Sequence, residues 1–272
     1  MTTNIVVSPG AIQRYQTLLS LLTDTTSALV AFSGGVDSTL LLYATKEALG
    51  DKAMAATIST PYTPKWEITE ARKFAASIGV KYSEIDLPFP EALRMNPPDH
   101  CYTCKKALFS MLLKVAMDRG LSSVLDGTNL DDLGDYRPGL KALRELGVMS
   151  PLMEAELSKQ DIRELSHHFN LPTWDKPAFA CLLSRMPVNK RVTESALTRV
   201  EQAEIYLMKN GFPAVRVRHH GDVARIEVPH DQIATLVSHG HHINARLREL
   251  GYRHVAVDLA GYSMGSLNRP SE

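Results

Sequence analysis

The sequence predicts an α/β chain, a parallel sheet with helices on both faces followed by a small α+β domain. Three observations predict it. Strand-like and helix-like patterns alternate from Ser27 to Asn170. A run of small residues, Ala31-Phe32-Ser33-Gly34-Gly35-Val36-Asp37-Ser38, is set between a hydrophobic strand and a helix. Beyond a stretch carrying Pro172, Pro177 and Pro187, the order changes to paired strands flanked by helices.

Ser27 to Phe32 reads as a buried strand, and Asp37 to Leu49 carries Leu40, Leu41, Ala44 and Leu49 at helical spacing. Met54 to Ile58 is the next strand, Lys65 to Ile78 a helix closed by Gly79, and Lys81 to Leu87 a third strand. A helix follows from about Tyr102 to Arg119 with Gly120 beyond its end, and then a strand from Ser123 to Asp126. Ser158-x-x-Asp161 opens a helix ending near Asn170, with its acid where the helix dipole favours it. The proline-bearing stretch from Pro172 to Lys190 marks the domain junction, which gives residues 1–185 and 190–272 as the two domains. In the second, Thr193 to Asn210 is a helix capped by Gly211. Ala214 to His219 and Val223 to Val228 are strands around His220-Gly221-Asp222, Asp231 to Leu250 is one long helix, and Tyr252 to Leu259 is the last strand. The tail from Gly261 to Glu272 has no regular pattern.

The small-residue loop suits a polyphosphate. Two glycines let backbone N–H groups approach an anion, the hydroxyls of Ser33 and Ser38 add donors, and the following helix N-terminus favours negative charge. Asp37 suits a magnesium-associated role, since its carboxylate would otherwise repel the phosphates. No Gly-Lys-Ser/Thr follows, so this is not the Walker loop. The competing reading is an ordinary Ser-Gly-Gly turn.

Composition narrows the rest. Lys+Arg 30 against Asp+Glu 30 gives a formal net charge of +0, so there is no bulk basic field of the kind that attracts nucleic acid. No apolar run reaches the roughly 18 residues of a membrane span, and the first ten residues lack a secretory pattern, so a cytoplasmic protein with no membrane partner is expected. Three cysteines make an odd count, unsuited to a complete disulfide framework. Cys101-Tyr102-Thr103-Cys104 at a helix start brings two thiols to one ligand and lowers their pKa through the field of the helix terminus. A redox pair, half of a zinc site completed by His100, and two ligands of an iron–sulfur cluster all remain open, with the cluster favoured over zinc. Cys181 is the third thiol, read either as a ligand or as a small core residue.

Ala214-Val215-Arg216-Val217-Arg218 alternates, so Arg216 and Arg218 leave the strand on one face. Two adjacent guanidiniums suit a phosphate or carboxylate between them, or pairing with Asp222 or Glu227 across the hairpin. The pairs His167-His168, His219-His220 and His241-His242 are discounted as metal sites, because adjacent side chains point apart.

Taken in order, Ser33-Gly34-Gly35-Val36-Asp37-Ser38, Asp126-Gly127-Thr128-Asn129-Leu130-Asp131-Asp132, Asp135-Tyr136-Arg137-Pro138-Gly139-Leu140-Lys141 and Val215-Arg216-Val217-Arg218 carry a resemblance over nearly the whole chain. The sequence resembles the LarE family, ATP-dependent sulfur insertases of nickel-pincer nucleotide biosynthesis within the PP-loop pyrophosphatase superfamily. The resemblance implies a Rossmann-like PP-loop domain and a substrate-binding or oligomerisation domain, in a homo-oligomer. It implies that ATP and Mg2+ adenylate a carboxylate of pyridinium-3,5-biscarboxylate mononucleotide, with release of pyrophosphate, and that sulfur then replaces AMP. Ala31, Ser33, Gly34, Gly35, Asp37, Ser38 and Gly127 are the implied nucleotide-binding residues. Arg216, Arg218, Ser184 and Arg185 are the implied substrate-binding ones.

One type within the family sacrifices a cysteine as sulfur donor, one position earlier than Cys181, where this chain has Ala180. The other carries CxxC plus a third cysteine and binds a [4Fe–4S] cluster. This chain resembles the second type, so Cys101, Cys104 and Cys181 are the implied cluster ligands and, with Asp37, the implied catalytic residues. Cys181 as a direct donor stays an alternative. So do a tRNA thiolase, an amidating ligase and a non-catalytic nucleotide- or zinc-binding protein. A basic stripe with interleaved aromatics is missing from the second domain, which argues against tRNA.

Overall fold

The computed structural model describes residues 7–134, 138–177 and 180–262. Two compact units divide the chain: Met1–Thr60, Lys65–Pro88 and Asp99–Ala178 form the first, and Pro61–Pro64, Phe89–Pro98 and Phe179–Glu272 the second. Two short segments of the N-terminal half therefore count with the second unit, as do Ser184 and Arg185.

In the first unit α1 (Pro9–Thr23), β1 (Ala28–Ala31), α2 (Val36–Leu49), β2 (Ala53–Ser59), α3 (Lys65–Ser77), β3 (Lys81–Asp86), α4 (His100–Asp118), β4 (Ser123–Leu125), α5 (Pro138–Glu145), α6 (Pro151–Glu154) and α7 (Lys159–His168) follow one another. The sheet order is β3-β2-β1-β4, and every pairing is parallel. Both faces of β1 are buried, which its unbroken apolar run requires. Ala28 and Val30 pack with Leu18, Leu22, Leu40 and Leu41 of α1 and α2. Leu29 points the other way, into a cluster with Met54, Val124, Phe109 and Leu112 beneath α4. Helices thus cover both faces, as the alternation predicts.

The helix α1 has no counterpart in the sequence reading. Its signal was present: Ser8 accepts a bond from the Ala11 N–H and Pro9 follows at the first helical position. The Ser158–Asp161 start of α7 is a reciprocal capping box. Burial works against the Asp161 carboxylate, yet bonds from Arg14 and Ser158 hold its pKa below the ordinary value.

The chain runs from β1 outward through β2 to β3 and returns to β4 on the opposite side, so the C-terminal ends of β1 and β4 flank a topological switch point. There the loop after β1 meets Gly127 after β4. A Cβ on Gly127 would lie 3.1 Å from the Ser38 nitrogen and 3.4 Å from the Asp37 Cβ, so a side chain there would push the two segments apart by a few tenths of an ångström.

The second unit holds α8 (Glu194–Lys209), β5 (Arg216–His220), β6 (Val223–Glu227), α9 (Ile233–Ser238), α10 (Gly240–Glu249) and β7 (His254–Val257). Its sheet runs β5-β6-β7, antiparallel across the Gly221 hairpin and parallel between β6 and β7. The single long helix expected over Asp231 to Leu250 is instead a short turn followed by α9 and α10, which share His239 as closing and opening residue. Gly240 explains the break, because glycine inside a helix costs about 1 kcal/mol relative to alanine. Of the irregular tail, all but Gly261 and Tyr262 lies outside the described residues, as do Asp135-Tyr136-Arg137 and Ala178-Phe179. Among the described residues no helix is long and apolar enough to cross a membrane.

Candidate active site

The loop after β1 is a tight turn of small residues leading into α2. Ala31 ends the strand, the Phe32 N–H donates to the Ala56 carbonyl, and the chain then turns through Gly34 at φ 71°. Gly35 precedes α2 without a side-chain cap, so the first-turn N–H groups of that helix face the loop. The hydroxyls of Ser33 and Ser38 lie 3.1 Å apart, the Gly35 N–H donates to the Ser33 Oγ at 3.3 Å, and the Ser38 hydroxyl donates to the Gly35 carbonyl.

Asp37 lies in the first turn of α2, where the dipole suits it. Its carboxylate accepts from Lys159 Nζ at 2.7 Å and from Asn129 Nδ2 at 3.1 Å. Lys159 opens α7, and its own N–H donates to Asp131 at 2.8 Å. The segment from Asp126 to Asp132 therefore ties the loop to α7. Asp126 is buried, accepts from the hydroxyls of Thr128 and Ser150 at 2.5 Å each, and lies 3.5 Å from Lys105 Nζ. Lys176 reaches the same loop from the far end of the unit, donating to the Gly34 carbonyl at 2.9 Å. Sequence reasoning passed over Lys105, Lys159 and Lys176, since single lysines far from a motif carry no pattern of their own.

Cys101 and Cys104 fall in the first turn of α4, three residues apart and so on one face. The expectation of a lowered thiol pKa needs correction at Cys101: although the residue as a whole is exposed, desolvation of its thiol pushes the pKa up, with Lys105 pulling the other way. Among the described residues no three His, Cys, Asp or Glu side chains gather as a metal-binding group.

Cys181 belongs to the second unit and precedes a short 3-10 turn, Leu182–Arg185. Its carbonyl accepts from Ser184 Oγ at 2.8 Å and from Arg185. Three buried arginines gather in this unit. Arg185 makes a two-point pair with Glu204 at 2.9 and 3.1 Å, and Glu204 also accepts from the Val217 N–H. Arg218 forks onto Glu227 at 2.9 and 2.8 Å and donates to the Ser184 carbonyl. Arg216 stacks on the Tyr262 ring at 4.8 Å and donates to the Val215 carbonyl. Burial first, and the Arg185 charge second, pull the Arg216 pKa below the usual guanidinium value. Of the carboxylates considered for the arginine pair, the structure gives Glu227 to Arg218.

A family model described as NAD synthase matches residues 20–99, the stretch with β1, the cradle and α2. With the loop geometry, that match defines the class: the chain is a PP-loop enzyme of the ATP pyrophosphatase type. A pyridinium-3,5-bisthiocarboxylic acid mononucleotide synthase of Lactiplantibacillus plantarum is 38% identical over 255 residues, 93% of this chain and 92% of that one. An uncharacterized protein of Synechocystis is 41% identical over 89% of this chain and 92% of its own. By contrast, the tRNA-specific 2-thiouridylase of Carboxydothermus hydrogenoformans is 29% identical and aligns with 55% of this chain and 52% of its own. The chain belongs to the LarE family, the pyridinium-3,5-bisthiocarboxylic acid mononucleotide synthases.

Proposed function

We propose that this chain binds ATP with Mg2+ on the Ser33–Ser38 loop, adenylates a carboxylate of pyridinium-3,5-biscarboxylate mononucleotide, and converts it to a thiocarboxylate. The observation that carries the reading is the loop itself: two hydroxyls, a glycine N–H and an uncapped helix start converge beside Asp37 at the switch point of the sheet. A carboxylate oxygen of the substrate attacks the α-phosphorus of ATP, the bond to the β-phosphate oxygen breaks, and pyrophosphate leaves. The cradle holds the departing pyrophosphate, whose negative charge grows as that bond lengthens. Mg2+ would be held by Asp37 together with the phosphates. The carboxyl carbon then carries AMP, and sulfur displaces it as the C–O bond breaks and a C–S bond forms.

For sulfur delivery, Cys101, Cys104 and Cys181 are the residues that would hold a [4Fe–4S] cluster, which supplies sulfide when bound. The donor set suits this, since two thiols one helical turn apart match neighbouring ligands of one cluster. The substrate phosphate would be taken by Arg216 with Arg185, Arg218 and Ser184 around it. The crowding that depresses the Arg216 pKa supports this, because an anion relieves it.

Two experiments test the reading. Products from ATP with substrate are expected to be AMP and pyrophosphate, and ADP with orthophosphate would overturn it. Arg216→Ala is expected to weaken the phosphorylated substrate by about 1.5–3 kcal/mol, the scale of a charged hydrogen bond, with ATP affinity unaltered; unchanged kinetics would remove Arg216 from the substrate site. A second variant probes the close approach after β4. Gly127→Ala is expected to slow pyrophosphate release roughly ten- to a hundredfold by pushing that segment off the loop, with the circular dichroism spectrum retained.

A further inference from the structure

We infer that Lys176 is a positioning residue for the phosphate cradle: by capturing the Gly34 carbonyl it sets the Gly34–Gly35 peptide so that the N–H, not the C=O, faces the anion. The inference rests on the reading of the loop as a polyphosphate site and adds to it what holds the loop in its binding form.

A peptide plane has two faces, with C=O and N–H pointing in opposite directions across a trans bond. No cis peptide occurs among the described residues. Lys176 Nζ takes the Gly34 oxygen on one side at 2.9 Å. On the other side the Gly35 N–H bonds the Ser33 hydroxyl, which in turn meets Ser38. Had this peptide turned over, a carbonyl oxygen would face the phosphates in place of a donor, turning attraction into repulsion.

Glycine makes such a turnover accessible. Gly34 sits at φ 71° and Gly35 has no side chain, so neither residue resists rotation of the plane between them. A side chain at position 34 would be strained at this φ and would bring its Cβ within 3.3 Å of the Ala71 Cβ, so the loop gains no constraint from one. Inside the loop the Gly35 N–H bond to Ser33 is long, at 3.3 Å, and Lys176 adds a charged hydrogen bond to the same peptide from outside. Its ammonium is also paired with Glu70 of α3 at 2.8 Å and lies over the Trp66 ring at 5.0 Å. Arg163 fixes its backbone, donating to the Trp174 carbonyl at 2.6 Å and to the Lys176 carbonyl at 2.9 Å. A lysine so anchored at both ends has little freedom to leave the carbonyl.

The test reads the free protein and the anion separately. Full-length Lys176→Met and Lys176→Arg chains are compared with the parent by calorimetric titration with magnesium pyrophosphate and with AMP, and by the amide signal and exchange rate of 15N-labelled Gly35 without ligand. Loss of one charged hydrogen bond corresponds to roughly tenfold or more in affinity. Lys176→Met is expected to weaken pyrophosphate at least about tenfold on that scale, to leave AMP within threefold, and to shift the free Gly35 amide. Lys176→Arg is expected to restore most of the affinity. Glu70→Gln, which loosens the anchor without touching the loop, is expected to give a smaller shift in the same direction. Pyrophosphate affinity unchanged in Lys176→Met overturns the inference. So does weakened affinity with an unmoved Gly35 amide, which would make Lys176 a direct phosphate ligand. Failure of the parent chain to bind pyrophosphate would sink the polyphosphate reading instead, and the Gly35 amide in the free proteins would still decide the role of Lys176.

Discussion

Asp37→Ala is expected to lower AMP and pyrophosphate formation from ATP by about a hundredfold or more, the loss seen when a group stabilising developing charge is removed. The fold is expected to survive. Asp37 and Lys159 are both partly solvated, at 23% and 32% side-chain exposure, and pairs of that kind contribute only about 0–1 kcal/mol to stability. The carboxylate matters for another reason. It stands in the first turn of α2 beside a loop that suits several negative charges, and only a cation makes that arrangement favourable. Lys159 is one such cation, paired with the Asp37 carboxylate. Were Asp37 to hold Mg2+ as proposed, the metal would supply that charge and the ammonium of Lys159 would be free to meet the phosphates. Lys159→Ala is therefore expected to slow the same step, and pyrophosphate release measured at several Mg2+ concentrations checks both variants. An Asp37→Ala enzyme as fast as the parent would refute the assignment.

How far the sequence showed this is uneven, and the reasons are physical. The strand–turn–helix at Ser33–Ser38 was legible because its signals are local: glycines, hydroxyls and a helix start within six residues. The parallel sheet was legible because β1 and β2 are apolar on both faces, as only a doubly covered sheet demands. The partners of Asp37 were not. Lys159 is 122 residues away and Lys176 meets Gly34 across 142, so only the folded topology brings them to the loop. The helix break at His239 was hidden because Leu236, Ile243 and Leu247 keep a helical spacing through it, and all three are buried. In the arginine strand the alternation gave the face shared by Arg216 and Arg218. It did not separate them, and the structure does: Arg218 forks onto Glu227, and Arg216 stacks on the Tyr262 ring with its pKa lowered by burial and by Arg185.

That difference has an energetic consequence. Removing Arg218 leaves Glu227 buried with Arg225 as its remaining guanidinium partner among those described, whereas the charge of Arg216 is opposed by burial and Arg185 and favoured by Glu204. Loss of one member of a buried ion pair costs about 3–5 kcal/mol. Substrate binding is therefore better assigned from Arg216 variants than from Arg218 variants, whose effects include the cost to the fold.

Replacing Cys101, Cys104 or Cys181 singly by alanine is expected to abolish sulfur insertion while AMP and pyrophosphate formation continues. The separation follows from the order of the two steps, since adenylation precedes the arrival of sulfur. The residues proposed for adenylation are Ser33, Ser38, Asp37 and the Gly35 N–H, whereas the cysteines are proposed only for the sulfur that enters afterwards. Each thiol is free of disulfide bonding, and alanine at any of the three positions preserves the backbone that carries it. If the three act as one ligand set, losing any member has the same outcome, and iron and acid-labile sulfide in anaerobically purified protein fall together with activity in all three variants. After turnover with added sulfide, the mass of the parent chain is then expected to be unchanged. The competing chemistry, with Cys181 as a spent donor, predicts a different pattern. Only Cys181→Ala would be inactive, each chain would turn over once, and the protein would lose one sulfur from that residue. Stoichiometric zinc without iron would reject the cluster outright, because zinc has no sulfide to give.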